Sequence, residues 1–166
     1  MRPLTLEDAE VWNEFMNSPH ATILFPEYLK PPKFSGKDWI EKQLLRYTNQ
    51  QLGLLALIEK SSGEFVGQCG LLKQTVNSVD EVEVGYHLLP RFWKQGFARE
   101  AALYFINYGF ETLNCPSIIS LINTRNLDSQ KVAFANGLKN TGEIIDNHGD
   151  SYIFRISRSD HQFDTL

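Results

Sequence analysis

The residues best suited to chemistry lie in one stretch, Glu83-Val84-Gly85-Tyr86-His87-Leu88-Leu89-Pro90-Arg91-Phe92-Trp93-Lys94-Gln95-Gly96-Phe97-Ala98-Arg99-Glu100. An alternating run ends at Pro90, a short loop follows, and Gly96 opens a long apolar-periodic segment. A helix entered this way begins with amides that have no carbonyl partner, and its dipole adds partial positive charge at the same place. Gly96 lets the backbone come close to a ligand, and Ala98 keeps the next turn low. The junction therefore describes a cradle for a phosphate or diphosphate. It equally suits an ordinary loop before a capped helix. Neither Gly-x-x-x-x-Gly-Lys-Ser/Thr nor Gly-x-Gly-x-x-Gly occurs, so a P-loop nucleotidase and a dinucleotide fold are both unsupported.

The elements that must position this cradle are readable from periodicity. Apolar spacing predicts a helix over 5–17, with Thr5 as its N-cap, and a second beginning at Ser35 or Gly36 and running through Tyr47. Between them, Pro19, Pro26, Pro31 and Pro32 predict a loop over 18–37. Strands are expected over 52–59 and 65–72, joined by Ser61-Ser62-Gly63, and over 79–89. A helix over 97–113 has apolar residues around much of its circumference, predicting burial on more than one side. A strand over 118–122 precedes a helix over 126–136, which Gly137 stops. A final hairpin pairs 143–145 with 152–156 around Asn147-His148-Gly149-Asp150, and the polar tail from Arg158 is expected to fray. This order predicts a mixed sheet with helices on its faces rather than repeated strand–helix units.

Composition narrows the function classes. The 166 residues suit one domain with its own core, spanning 1–166 with a polar tail over 158–166. Sixteen Lys and Arg against twenty Asp and Glu give a net charge of −4, which argues against a nucleic-acid backbone as partner. Cys69 and Cys115 are too few and too far apart for a disulfide framework or a zinc site, so each is expected buried as a small hydrophobe. There is no membrane-length apolar run and no secretory or transit signal at the start of the chain, which predicts a cytoplasmic location.

As a set, the motifs resemble the GNAT superfamily of acyl-CoA-dependent N-acyltransferases, in particular its Rim-like branch, which includes ribosomal-protein N-terminal acetyltransferases. That branch shows Glu-Ile-Gly-Tyr on a strand, a proline, and Trp-Gly-Lys-Gly-Tyr-Ala-x-Glu-Ala. This chain has Glu83-Val84-Gly85-Tyr86, Pro90 and Trp93-Lys94-Gln95-Gly96-Phe97-Ala98-Arg99-Glu100-Ala101. Asn123, Asn126, Ser129 and Gly137 match the family's downstream Asn-x-x-Asn-x-x-Ser and its glycine. Arg2-Pro3-Leu4 with Asp8-Ala9 resembles the end of the family's first strand and its entry into the first helix. Three departures stand out. Lys94 replaces the first cradle glycine, tolerable if its φ stays negative; the first strand is clipped; and Ala133 stands where many relatives carry a proton-donating tyrosine.

The resemblance implies an α/β (α+β) fold, a mixed and mostly antiparallel sheet of six to seven strands with helices on both faces. It implies acetyl-CoA as co-substrate, with no metal. The pantetheine arm would pair with backbone amides of Tyr86, His87 and Leu88, one of which could hold the oxyanion, and the diphosphate would lie on those of Lys94, Gln95, Gly96, Phe97 and Ala98. Asn126 would bond the pantetheine amides, cap the next helix, or do both. Glu83 is the expected base, its pKa raised by partial burial, with Glu81 on the same face as a weaker candidate. His87 is assigned a backbone role only. Ser129 would protonate or hydrogen-bond the leaving sulfur, or alternatively cap its helix. Loops over 25–34 and around His148 and Asp150 would form the acceptor pocket. The acceptor is a protein N-terminus or small amine; the alternative is a non-catalytic acyl-CoA sensor of the same fold. Nothing in the sequence sets the oligomeric state.

Overall fold

The computed structural model of the chain describes residues 1–145 and 150–161. Among them, the elements are α1 (Asp8–Met16), α2 (Pro19–Thr22), α3 (Gly36–Thr48), β1 (Leu54–Ile58), β2 (Phe65–Val76), β3 (Val79–Leu88), α4 (Phe97–Glu111), β4 (Ser117–Asn123), α5 (Leu127–Ala135), β5 (Lys139–Ile145) and β6 (Ser151–Ser157). Short 3-10 turns occupy Glu27–Leu29 and Pro90–Phe92. The strands form one sheet in the order β1-β2-β3-β4-β6-β5, antiparallel except for β3 against β4. The expected mixed, mostly antiparallel architecture is present.

Helices cover both faces. Trp39 of α3 donates its indole N–H to Gln68 Oε1 at 2.9 Å, whereas Gly109 of α4 sits against Leu71 and Ile118. Gln68 and Leu71 have opposite parity along β2, so α3 and α4 lie on opposite sides of the sheet. Trp12, Ile40, Leu54, Ile118, Phe110 and Phe154 are fully enclosed between these layers, and both cysteines are buried.

The feature that matters most for the site is a split in the sheet. β3 and β4 pair at Glu83 and Ile119, after which β3 runs on to Leu88 and β4 to Asn123 without a further register pair. Ser120 Oγ donates to the Val84 carbonyl at 3.1 Å, so a side chain takes an acceptor that a continuing ladder would have used. The two strands consequently enclose a V with Glu83 near its vertex.

Several expectations are corrected. The 18–37 stretch contains α2, started by Ser18 Oγ accepting from the Ala21 N–H, because Pro19 sits at the first helical position where its missing N–H costs nothing. Thr5 does not cap α1; instead Asp8 accepts from Thr5 N–H and is bridged by Arg2 at 2.6 Å. Ser35 does start α3, in a capping box with Asp38. Helix α4 is buried along one face, Ala101, Ala102, Phe105, Ile106, Gly109 and Phe110, while Tyr104 and Tyr108 keep their rings largely in solvent. Strands β2 and β5 are longer than periodicity indicates because neighbouring strands supply their pairing. The tail is tied down as far as His161: Arg158 N–H donates to Pro116 O, and His161 Nε2 lies 2.5 Å from Asn107 Oδ1. Residues 162–166 lie outside the described part. The start of the chain pairs with β1 through a single bridge, Arg2 to Ala56.

Strands β1 and β2 approach closely at Gly70, where a Cβ would stand 2.3 Å from the Gly53 carbonyl oxygen and 2.9 Å from Leu54 Cα. Both are backbone atoms, so neither can swing aside. Gly70→Ala is expected to destabilise the fold by about 1–3 kcal/mol, measured by denaturant titration. An unchanged midpoint would mean that β1 can shift without cost.

Candidate active site

A cavity of about 740 Å³ runs from the start of α4, through the open V, to the layer formed by α1, α2 and α3. Its walls include Gly96, Phe97 and Ala98 at one end, Glu83, Tyr86 and Ser120 at the centre, and Phe25, Trp39 and Arg46 at the other. The volume is that of a small-molecule site.

Strand alternation decides which β3 amides can reach a ligand. Leu89 N–H bonds Val66 O at 3.0 Å, and the β2–β3 register carries that pattern back through His87 and Gly85. Those amides belong to the ladder with β2. The Tyr86 and Leu88 amides point the other way, into the V. The expected backbone role therefore fits Tyr86 and Leu88 but not His87, whose side chain enters the cavity instead. Trp93 Nε1 donates to Leu88 O at 2.7 Å, tying the loop to the strand end.

At the head of α4, Gly96 is the N-cap at φ +93° and supplies no side-chain cap. The first amides of the helix, at Phe97, Ala98 and Arg99, have no carbonyl partner within it. A Cβ on Gly96 would meet nothing within 4 Å, so glycine is required here by conformation rather than by space. Lys94 departs from expectation: its φ is +61°, in the left-handed region. The loop needs a reversed backbone at this point whatever the side chain, and lysine holds it at a cost of about 1–2 kcal/mol. Lys94→Gly should raise stability by less than about 1 kcal/mol, since glycine's greater unfolded entropy offsets part of the relief. A fall in midpoint would show the lysine side chain contributing more than its strain. Gln95 is held by its own Nε2 donating to Arg91 O at 2.8 Å.

Glu83 is buried and lines the V. One oxygen accepts from Gln74 Nε2 at 2.6 Å and the other from Leu121 N–H at 3.3 Å. Burial pushes its pKa above the usual carboxylate range, and those two hydrogen bonds with the nearby Arg46 charge pull only partly in the opposite direction. Glu81, the alternative, is already engaged: Arg155 grips it with two bonds of 2.6 and 3.0 Å, linking β3 to β6. His87 stands among aromatic rings, with Trp39 at 5.1 Å, Phe25 at 5.6 Å and Phe15 at 5.8 Å between centroids. Loss of solvation pulls its pKa down to about 4, so near neutral pH it is an uncharged, weakly basic ring.

On α5, Asn126 is the N-cap, its Oδ1 accepting from Ser129 N–H at 3.1 Å, and the residue lines the cavity. The Ser129 carbonyl accepts from Tyr86 OH at 2.9 Å. Ser129 lines the cavity, and Ala133 is buried beneath it in the core. The Tyr86 phenol thus occupies the α5 side of the cavity, where the resemblance expects a phenol from the helix itself.

Of the 25–34 loop expected to form an acceptor pocket, Phe25, Pro26, Tyr28 and Leu29 line the cavity; Asp150 does not, although its neighbour Ser151 does. His148 lies outside the described residues. Sequence reasoning missed Gln74, Gln43, Lys42 and Arg46. The i, i+4 spacing of Lys42 and Arg46 marked a shared helix face, but nothing in the chain said which face would meet a cavity. Among the described residues, no group of three or more His, Cys, Asp or Glu is placed to hold a metal, and no helix is long and apolar enough to cross a membrane.

Comparison with known proteins agrees with this geometry. A family model described as an acetyltransferase (GNAT) domain matches residues 1–139. The chain is 28% identical to an uncharacterized N-acetyltransferase, p20, of Bacillus licheniformis, over 88% of this chain and 82% of that one. It is 31% identical to the uncharacterized Bacillus subtilis protein YkkB over 61% of its own length, and this match spans 59% of the relative. The ribosomal-protein-S5-alanine acetyltransferase of Vibrio fischeri shares the fold, with TM-score 0.71, 18% identity, and coverage of 97% of this chain and 93% of that one. With a split sheet, an open helix N-terminus beside it and a family model covering most of its length, this chain belongs to the GNAT acetyltransferase family.

Proposed function

We propose that the protein transfers the acetyl group of acetyl-CoA to a primary amine, by direct attack and without a covalent enzyme intermediate. The observation that carries the proposal is one continuous cavity holding three things together: the unpaired amides of the α4 cradle, the unpaired β3 edge, and the buried Glu83. A diphosphate fits the cradle because its amides and the helix dipole present positive charge to open space. The Tyr86 and Leu88 amides are free to pair with the amide-bearing arm of the donor.

In the reaction the amine nitrogen forms a bond to the acetyl carbonyl carbon, and the carbon–sulfur bond breaks. Glu83, its basicity raised by burial, accepts the proton the amine loses, directly or through water. Backbone N–H groups at the β3 edge hold the developing oxyanion. Ser129 can offer a hydrogen bond to the leaving sulfur, and the coenzyme departs as the thiolate and takes its proton from solvent. Burial raises the Tyr86 pKa, so the phenol stays protonated and keeps its hydrogen bond to the Ser129 carbonyl. The acceptor, a small amine or a protein N-terminus, enters from the end lined by Phe25 and Trp39.

Calorimetry with acetyl-CoA, run beside a thiol-release assay over primary amines and Ala- or Ser-initiated peptides, tests the proposal. Binding together with thiol release above the hydrolytic background is expected. Binding without release across the whole panel would instead identify a sensor. No binding would end the proposal.

A further inference from the structure

We propose that the acceptor end of the cavity selects primary amines bearing a carboxylate close to the amino group, such as free amino acids, with Lys42 and Arg46 receiving the carboxylate; this rests on the acetyl-transfer proposal above. Helix α3 presents these two cations one turn apart, and both line the cavity beside Gln43 and Trp39. Arg46 spends one guanidinium N–H on Gln43 Oε1 at 3.3 Å. Among the described residues, neither cation has a carboxylate within ion-pair distance.

The cations of this wall are therefore without a direct ion-pair partner among the described residues. Two described carboxylates line the whole cavity, Glu83 and Asp128. Asp128 is on α5, paired with Lys131 at 3.3 Å. Glu83 is held by Gln74 and the Leu121 amide and makes no ion pair with either cation. Partial burial lowers the pKa of Arg46, which the Glu83 charge offsets in part, and partial desolvation with the Arg46 charge lowers that of Lys42, whose side chain still reaches solvent. An anion placed between them relieves both the desolvation and the mutual repulsion, whereas a polycation adds to the repulsion.

Position restricts the ligand further. Arg46 bonds Gln43, which holds the Leu54 amide, and Leu54 registers through Gly70 with Gly85, two residues from Glu83. An amine at Glu83 thus has Arg46 on the same wall of the cavity. In a peptide N-terminus the corresponding carbonyl is an amide and brings no charge. The rings of Phe25, Trp39 and His87 supply an apolar wall for a side chain.

The test uses acceptors that differ only in the carboxylate: phenylalanine against phenylalaninamide and methionine against methioninamide, with spermidine and an Ala-initiated peptide alongside. Affinity is read by calorimetry in the presence of CoA, and kcat/KM by thiol release from acetyl-CoA. The acids should bind and react at least about tenfold better than their amides, the scale of one charged hydrogen-bonded contact. Lys42→Met and Arg46→Met should each erode that ratio while leaving acetyl-CoA affinity unchanged. Equal or better binding of the amides, preference for spermidine or the peptide, or an intact ratio in the double variant would overturn the inference. Should no acceptor release thiol while the acids still bind selectively, acetyl transfer fails and the anion site stands.

Discussion

Glu83→Gln is expected to lower turnover by about 10²–10⁴-fold, the range over which a positioned general base contributes, with acetyl-CoA affinity unchanged. Glutamine keeps the size of the side chain and can still meet Gln74 and the Leu121 amide, so the change removes proton acceptance more than structure. The pH dependence gives a second readout. Because burial raises the Glu83 pKa, the wild-type rate should climb with pH through a value above the usual carboxylate range, and the variant should lose that limb. Stability moves in the opposite sense. A carboxyl group whose folded pKa exceeds its unfolded one contributes stability that is full below the unfolded value and lost as pH rises through the folded value. The wild-type denaturation midpoint should accordingly fall from mildly acidic to alkaline pH more than that of Glu83→Gln. An unaltered rate profile in the variant would remove Glu83 from the base role.

Gly96→Asp should weaken acetyl-CoA binding more than tenfold, at least about 1.4 kcal/mol. Two effects combine. The added carboxylate would face the proposed diphosphate position, and an L side chain at φ +93° strains the turn that aims the α4 amides. Gly96→Asn separates them, since asparagine tolerates the left-handed region and carries no charge. Asparagine should therefore lose much less affinity than aspartate. Equal losses would make conformation the whole effect, and unchanged calorimetry for aspartate would move the diphosphate elsewhere.

Local signals made much of this molecule legible in advance. The period-2 run through Val82, Val84 and Tyr86 and the glycine-opened helix at Gly96 mark the strand–loop–helix junction. Ser35, Asn126 and Gly137 gave helix ends. Each of these depends on neighbours within a few residues, where φ/ψ preference and hydrogen-bond geometry act directly. Errors arose where distant segments compete. The segment from Arg158 to His161 is anchored by Pro116 and Asn107, which no local pattern can announce. Lys94 takes a positive φ in the loop between β3 and α4, a conformation that its side chain does not favour.

By itself, then, the order of residues determined the six strands and the longer helices in their order, the glycine-opened junction before α4 and the presence of a carboxylate on the strand beside it. Only tertiary structure decided what those parts mean for one another. Register turned His87's amide into the β2 ladder and its ring toward Trp39. It gave Glu81 to Arg155, left Glu83 buried at the vertex of the V, and brought Lys42 and Arg46 of a remote helix to the same cavity. Spacing along a chain reports which side chains share a face; which face meets which is set by packing between layers, and charge and pKa follow from that burial.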